Sequence, residues 1–129
     1  MKQKEKKDPP AIEVASRNVV SVQSTDSIHR ASEVMKETGY SQLPVLMGEV
    51  PVGSISERDI LDMLRQNYSM EQMKTTPVLK VMNESFPIVS DTTPVSAVTS
   101  LMSSSNAVIL TRKGKMAGVI TNADLLKLV

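Results

Sequence analysis

The chain has 129 residues, 40% of them hydrophobic but only 2% aromatic, so any core must be aliphatic, drawn from Val, Ile, Leu and nine Met. Fifteen Lys and Arg against fourteen Asp and Glu leave a net charge of +1, too weak a field to recruit nucleic acid or an anionic membrane. Cysteine is absent and His29 is the one histidine, which excludes disulfides, thiol catalysis, cysteine-ligated zinc and a Ser-His-Asp triad within one chain.

No apolar run approaches the roughly 20 residues of a membrane span. The lysine-rich start has no apolar segment behind it and is not read as a signal peptide. The expectation is a soluble, cytoplasmic protein with no metal site. Its size suits one compact domain or two half-size units.

Met1–Pro10 (MKQKEKKDPP) is charged, ends in two prolines and has nothing to bury, which predicts a flexible arm. Val19–Val22 then predicts a short strand, and Ser24-Thr25-Asp26 a turn and helix cap. Ile28, Ala31, Val34 and Met35 recur at helical spacing until Gly39. Leu43–Met47 and Val50–Ile55 read as strands joined by a turn at Gly48-Glu49, and a helix follows from Glu57 to about Tyr68. Residues 66–80 connect the halves, with Met70 and Met73 packing from a short helix before Pro77.

The second half repeats this order. Phe86–Val89 is its first strand, and Asp91-Thr92-Thr93-Pro94 its cap. Val95, Val98, Leu101 and Met102 form the helix face, and Ala107–Leu110 the middle strand. Arg112–Lys115 is the hairpin turn, and Met116–Ile120 leads into a last helix. Ile28 matches Val95 and Met35 matches Met102, both 67 positions later. Val45 matches Val108, 63 positions later, which predicts a four-residue deletion after the second half's first helix. A gain of two residues in its hairpin then restores the later offset.

That later offset belongs to the strongest pattern in the chain. Gly53-Ser54-Ile55-Ser56-Glu57-Arg58-Asp59-Ile60-Leu61 returns 65 positions on as Gly118-Val119-Ile120-Thr121-Asn122-Ala123-Asp124-Leu125-Leu126. Each copy reads as the end of a strand running into a helix. Ser56 and Thr121 stand at the N-cap, with Asp59 and Asp124 three residues on, as in a capping box. Such a junction points free N–H groups and a carboxylate at one place, where an anion can bind. One copy alone would be read as a helix cap. Two in matching context point equally to a shared ligand role.

The order strand, helix, strand, strand, helix, ending in Gly-x-x-Ser/Thr-x-x-Asp, resembles the CBS domain, named for cystathionine β-synthase. Leu43-Pro44-Val45 is a further match. The resemblance covers residues 12–129, and two copies in tandem look like a CBS pair, or Bateman module. It implies an α/β (α+β) fold in which each repeat is a small three-stranded sheet with two helices, the repeats packed about a pseudo-twofold axis. The expected segments are an arm over 1–10, repeat 1 over 11–68, a linker over 69–76 and repeat 2 over 77–129.

The resemblance also implies two clefts between the repeats that bind adenosine compounds: AMP, ADP, ATP, S-adenosylmethionine or methylthioadenosine. Asp124 and Asp59 would accept bonds from the vicinal ribose hydroxyls, and Thr121 and Ser56 would meet a phosphate. The Asp124 cleft is expected to use Ala15, Asn18, Val20, Tyr40 and Ser41, with Thr121 and Ala123. The Asp59 cleft is expected to use Met82, Ser85, Pro87 and Ser104, with Ser56 and Arg58. Arg58 there either counters a phosphate or stands solvated. The predicted deletion, and the missing N–H of Pro87, make the Asp124 cleft the better-formed one.

The expected function is a non-catalytic regulatory module that signals adenosine-ligand occupancy to a partner protein. It has no resident cofactor and no direct contact with nucleic acid or membrane, and it forms a homodimer through the helices after the signatures. The alternative is a dimerisation or interaction module with empty clefts. An enzyme would need a nucleophile–base pair that the residues do not offer.

Overall fold

The structure is a computed structural model, and it describes residues 8–129. The chain forms two compact units. The central unit is Val20–Phe86, and the terminal unit joins the chain up to Val19 with Pro87–Val129.

In the central unit, strand β1 (Val22–Gln23) leads through helix α1 (Ile28–Thr38) to β2 (Gln42–Met47) and β3 (Val50–Ser56). Helices α2 (Glu57–Arg65) and α3 (Met70–Thr75) follow. The sheet order is β1-β2-β3, with β1 parallel to β2 and β2 antiparallel to β3. α1 starts where the Ser27 hydroxyl accepts from Arg30 N (3.0 Å) and stops at Gly39, whose φ of +78° suits a C-cap. Its apolar positions Ile28, Ala31, Val34 and Met35 are all buried. β2 is buried on both faces from Leu43 to Leu46, as a middle strand should be, while β3 alternates. Ile28, Leu43, Val45, Ile55 and Val78 are fully buried in this core. Each such aliphatic side chain stabilises the unit by about 1.5–3 kcal/mol.

The terminal unit repeats the plan with β4 (Ile88–Ser90), α4 (Val95–Leu101), β5 (Ala107–Arg112), β6 (Lys115–Thr121) and a short α5 (Asn122–Leu126). Its sheet runs β4-β5-β6 with the same parallel and antiparallel pairings. Val98, Val108, Leu110 and Ile120 form its core together with Ala11, from a 3-10 turn at Ala11–Glu13. Among the described residues, no helix is long and apolar enough to cross a membrane.

Strand register corrects the expected alignment of the halves. Val45 stands opposite Gly53, and Leu110 stands opposite Gly118, so the partner of Val45 is Leu110, 65 positions on, and not Val108. Both hairpins close over two residues, between Met47 and Val50 and between Arg112 and Lys115, so neither has gained length. The offset falls from 67 at Ile28 and Val95 to 65 at the hairpin, a loss of two residues rather than four. The run of similar aliphatics in Ala107–Leu110 allowed the wrong match, since each alternate residue there fits a buried position equally well.

The leading residues of each expected repeat pack with the other repeat. Ser16 exchanges both backbone bonds with Val119 (3.0 and 2.9 Å), and Ala11 N donates to Thr93 O (2.7 Å). In the same way Asn83 exchanges both backbone bonds with Ser54 (2.8 and 3.0 Å), and Val78 N donates to Asp26 O (2.7 Å). The two signature glycines make these crossings possible. A Cβ on Gly53 would lie 2.6 Å from Met82 Sδ and 2.9 Å from Asn83 O, and one on Gly118 3.1 Å from Ser16 O.

Five smaller expectations change. Residues 1–7 of the expected arm lie outside the described residues, while Asp8–Pro10 dock on α4. Pro9 O accepts from Val95 N, and the Asp8 carboxylate accepts from Ser96 N and the Ser96 hydroxyl. Pro94, at the N-cap, offers no side-chain bond, so the cap comes from 88 residues away. Asp26 does not cap α1 but closes the turn before it, accepting from Gln23 N (2.8 Å). Met73 is buried as expected, whereas Met70 is 58% exposed. α2 ends at Arg65, where the chain turns through Asn67 at a φ of +66°.

Two outcomes follow from these contacts. Gly53→Ala should cost about 1–3 kcal/mol in urea unfolding, and Gly118→Ala less, because the Gly53 contact is tighter. The bonds from the Ser96 side chain and then its backbone hold the Asp8 carboxyl below the ordinary aspartate range. Its contribution to stability is therefore present above the unfolded value of about 4 and is lost as pH falls through the lower folded value. Asp8→Asn should flatten the acid limb of a thermal-melt profile and speed amide exchange at Ser96.

Candidate functional site

Each signature forms the strand-to-helix junction its residues predict. In the central unit, Asp59 N donates to Ser56 Oγ (3.2 Å), while Ser56 N and Oγ both donate to Asp59 Oδ2 (2.7 and 2.9 Å). In the terminal unit, Thr121 N and Oγ1 donate to Asp124 Oδ2 (3.0 and 3.3 Å). The apolar residue next along each strand, Ile55 or Ile120, is fully buried and pins the junction from below. Both carboxylates therefore spend the same oxygen, Oδ2, on the start of their own helix.

Their surroundings differ. Asp124 is only 5% exposed, and its Oδ1 lies 3.6 Å from Lys127 Nζ, one turn on. Asp59 is half-buried, and its Oδ2 takes a third bond from the side-chain amide of Asn83 (2.7 Å). Asn83 is held by its backbone pairing to Ser54, while the Ser54 hydroxyl donates to Glu84 O (2.6 Å). Neither Asn83 nor Ser54 stood among the expected site residues. The signal was there: Asn83 lies 67 positions after Ser16, which pairs with the opposite signature in the same manner.

The remaining expected residues divide between the units. In the terminal unit, Ala15 packs where a side chain on Gly118 would stand, and Asn18 and Ala123 are exposed. Pro87 belongs to this unit too. It lacks an N–H, but its carbonyl accepts from Ile109 N (2.8 Å). Ser104 is exposed beyond the end of α4. In the central unit, Val20 and Met82 pack against the core, and the Ser85 hydroxyl donates to its neighbour Phe86 O (2.9 Å). Ser41 O accepts from Glu57 N (2.8 Å), which brings Ser41 beside Ser56 and Arg58. These three line a polar depression of about 420 Å³ with Gln42, Glu57 and Arg65. Tyr40, 55% exposed, turns instead to a more apolar groove of about 530 Å³ with Ile60, Leu61, Leu64, Met70 and Met73. His29 borders that groove and pairs with Glu33 (3.4 Å).

Each unit offers a carboxylate with one committed oxygen, a hydroxyl beside it and backbone N–H groups at a helix start. Among the described residues, no cluster of His, Asp and Glu has the geometry to hold a metal ion.

Comparison with known proteins agrees with this duplicated plan. An uncharacterized 33.4 kDa protein in the ribosomal RNA operon of Thermofilum pendens is 26% identical over 88% of this chain. The chain spans 41% of that relative's length. A hypothetical conserved protein from Geobacillus kaustophilus has a similar structure, with a TM-score of 0.81, 25% identity, and coverage of 92% of this chain and 94% of that one. CbpB in complex with c-di-AMP is similar at a TM-score of 0.78 and 18% identity, covering 88% and 78% of the two chains. The CBS domain of a bacterial CNNM/CorC family Mg2+ transporter in complex with ATP is similar at 0.76 and 20%, covering 92% and 85%. The family description that matches the sequence does so twice, over residues 11–66 and 78–129, and the chain belongs to the CBS domain family as a tandem pair.

Proposed function

We propose that the chain is a non-catalytic regulatory module that binds an adenosine-containing ligand and signals its occupancy to a partner protein. The observation that carries this reading is the repeated junction, in which Asp59 and Asp124 each present a carboxylate at a helix start beside Ser56 or Thr121. A ribose offers two adjacent hydroxyl donors, and a carboxylate is the acceptor that fits them. Two proteins of the same fold, CbpB and the CNNM/CorC transporter domain, hold c-di-AMP and ATP, and this supports an adenine nucleotide as the ligand class. AMP, ADP, S-adenosylmethionine and methylthioadenosine carry the same free ribose diol as ATP, whereas c-di-AMP, linked through its 3′ oxygens, shares only the adenosine unit. Arg58, exposed next to Asp59, is the cation placed to meet a phosphate. Regulation would follow if the ligand binds one conformation of the module better than another, since only such a difference shifts an equilibrium.

A second reading, a dimerisation or interaction module without a ligand, is favoured by the apolar groove of Tyr40, Leu61, Leu64 and Met70, all exposed. A homodimer that covers that groove is compatible with either reading.

Calorimetry with ATP, AMP and S-adenosylmethionine tests the first reading. At 100 times its dissociation constant, the ligand should add about 2.7 kcal/mol of stability. Asp124→Asn should weaken binding at least about tenfold, as expected from losing charge-assisted bonds. No binding by any of the compounds would remove the ligand reading. For the second, sedimentation should give a dimer that Leu64→Lys converts to monomer. A monomer at all concentrations would remove it.

A further inference from the structure

The unequal bonding of the two signature carboxylates reaches beyond the presence of a ligand. A carboxylate oxygen has roughly two lone-pair directions. Asp59 Oδ2 already receives three donors, Ser56 N, Ser56 Oγ and Asn83 Nδ2, at 2.7–2.9 Å. Asp124 Oδ2 receives two, both from Thr121. The third donor to Asp59 is the one that does not belong to the helix cap.

Asn83 is built to make that contact and to release it. Its main chain is fixed by two bonds to Ser54, and the next residue by the Ser54 hydroxyl. The side chain is exposed and joined to this fixed point through rotatable bonds only. Swinging it away breaks one hydrogen bond and leaves the Ser54 bridge whole. In the terminal unit the matching place opposite Val119 is held by Ser16. Among the described residues, the groups bonded or paired to Asp124 are Thr121 and Lys127.

We infer that Asn83 is a built-in competitor for Asp59, whose amide occupies the carboxylate until a vicinal diol displaces it. The inference rests on the adenosine-binding reading above and adds a regulatory element to one of its two sites. A cis-diol that donates to both carboxylate oxygens needs space on Oδ2 as well as Oδ1. At Asp59 it must first remove the Asn83 amide, and that exchange subtracts from its affinity. A ligand with one hydroxyl can bind through Oδ1 alone and leaves Asn83 in place. The two signatures are thereby set to different affinities, and Asn83 lowers the preference of the Asp59 side for an intact diol.

Calorimetry on the full chain, with ATP and 2′-deoxy-ATP as probes, separates the possibilities. Asn83→Ala should bind ATP at least about fivefold more tightly at one site, the gain expected when a charge-assisted bond no longer has to be exchanged. Its affinity for 2′-deoxy-ATP should change less than about twofold by the same argument. Asn83→Ser, which copies the residue at the matching place, should behave alike and guards against a folding defect in the first variant. In 15N spectra of the wild type, the Asn83 side-chain amide should move towards free-amide positions as ATP is added. Equal or weaker ATP binding by both variants would overturn the competitor role while leaving the nucleotide reading intact. So would an Asn83 amide that stays bonded at saturation. An equal gain for both probes would overturn the idea that Asn83 weakens diol ligands selectively. Absence of ATP binding to the wild type and to both variants would overturn the inference together with the reading it rests on.

Discussion

Two positions without a side chain allow a distant stretch of backbone to lie directly on each hairpin, and much of the structure hangs on those crossings. Opposite Gly53 the incoming chain brings Met82 and Asn83, and opposite Gly118 it brings Ala15 and Ser16. The crossings form paired backbone bonds at Ser54 and Val119, one residue before the buried isoleucine of each signature. They satisfy polar groups on a strand edge that would otherwise stay open to pairing with another molecule. They also decide what stands beside each aspartate. A methyl group on either glycine would disturb the edge, the core beneath it and the approach to the carboxylate together.

The aspartates serve structure before anything else. Each neutralises N–H groups at the start of a helix, which by itself contributes of the order of 1 kcal/mol. A carboxylate has more acceptor capacity than a cap consumes, and the bonds here crowd onto one oxygen. The other oxygen takes no part in the cap. The cap thus orients each carboxylate without exhausting its acceptor capacity, and the same side chain holds its rotamer through bonds to its own backbone. Both α2 and α5 start with a reciprocal capping box, although α5 runs for only five residues.

The repeated order of elements could be read from the residues because it rests on local physics. Aliphatic spacing, cap residues and two-residue turns place α1, both hairpins and both signature junctions within a few positions of where they stand. The membership of Ala11–Val19 in the terminal unit was not legible, since nothing in Ala11-Ile12-Glu13 names its distant partner. The equivalence of Val45 with Leu110 was missed for a related reason: four consecutive buried aliphatics in β5 carry no alternation to fix a register. Asp8 looked like part of a solvated arm because its charge has no local use, and its role as a cap exists only once Ser96 is beside it. Asn83 was overlooked although it lies in the expected second repeat, between the expected site residues Met82 and Ser85. Its carboxylate partner lies 24 positions back and meets it only through the Ser54 bridge.

The membership of the terminal unit also sets an order on its formation during synthesis. Val20–Phe86 holds all of its own strands and helices in one uninterrupted stretch, so it can close as soon as that stretch has emerged. The segment around Ala11 and Ser16 leaves the ribosome before that stretch, yet its partners Thr93 and Val119 appear after it. Closing a loop of that length adds little to the entropic cost, because the cost grows only logarithmically, but it delays the event. Until then that segment waits without its sheet, and the unit that carries Asp124 takes shape after the unit that carries Asp59.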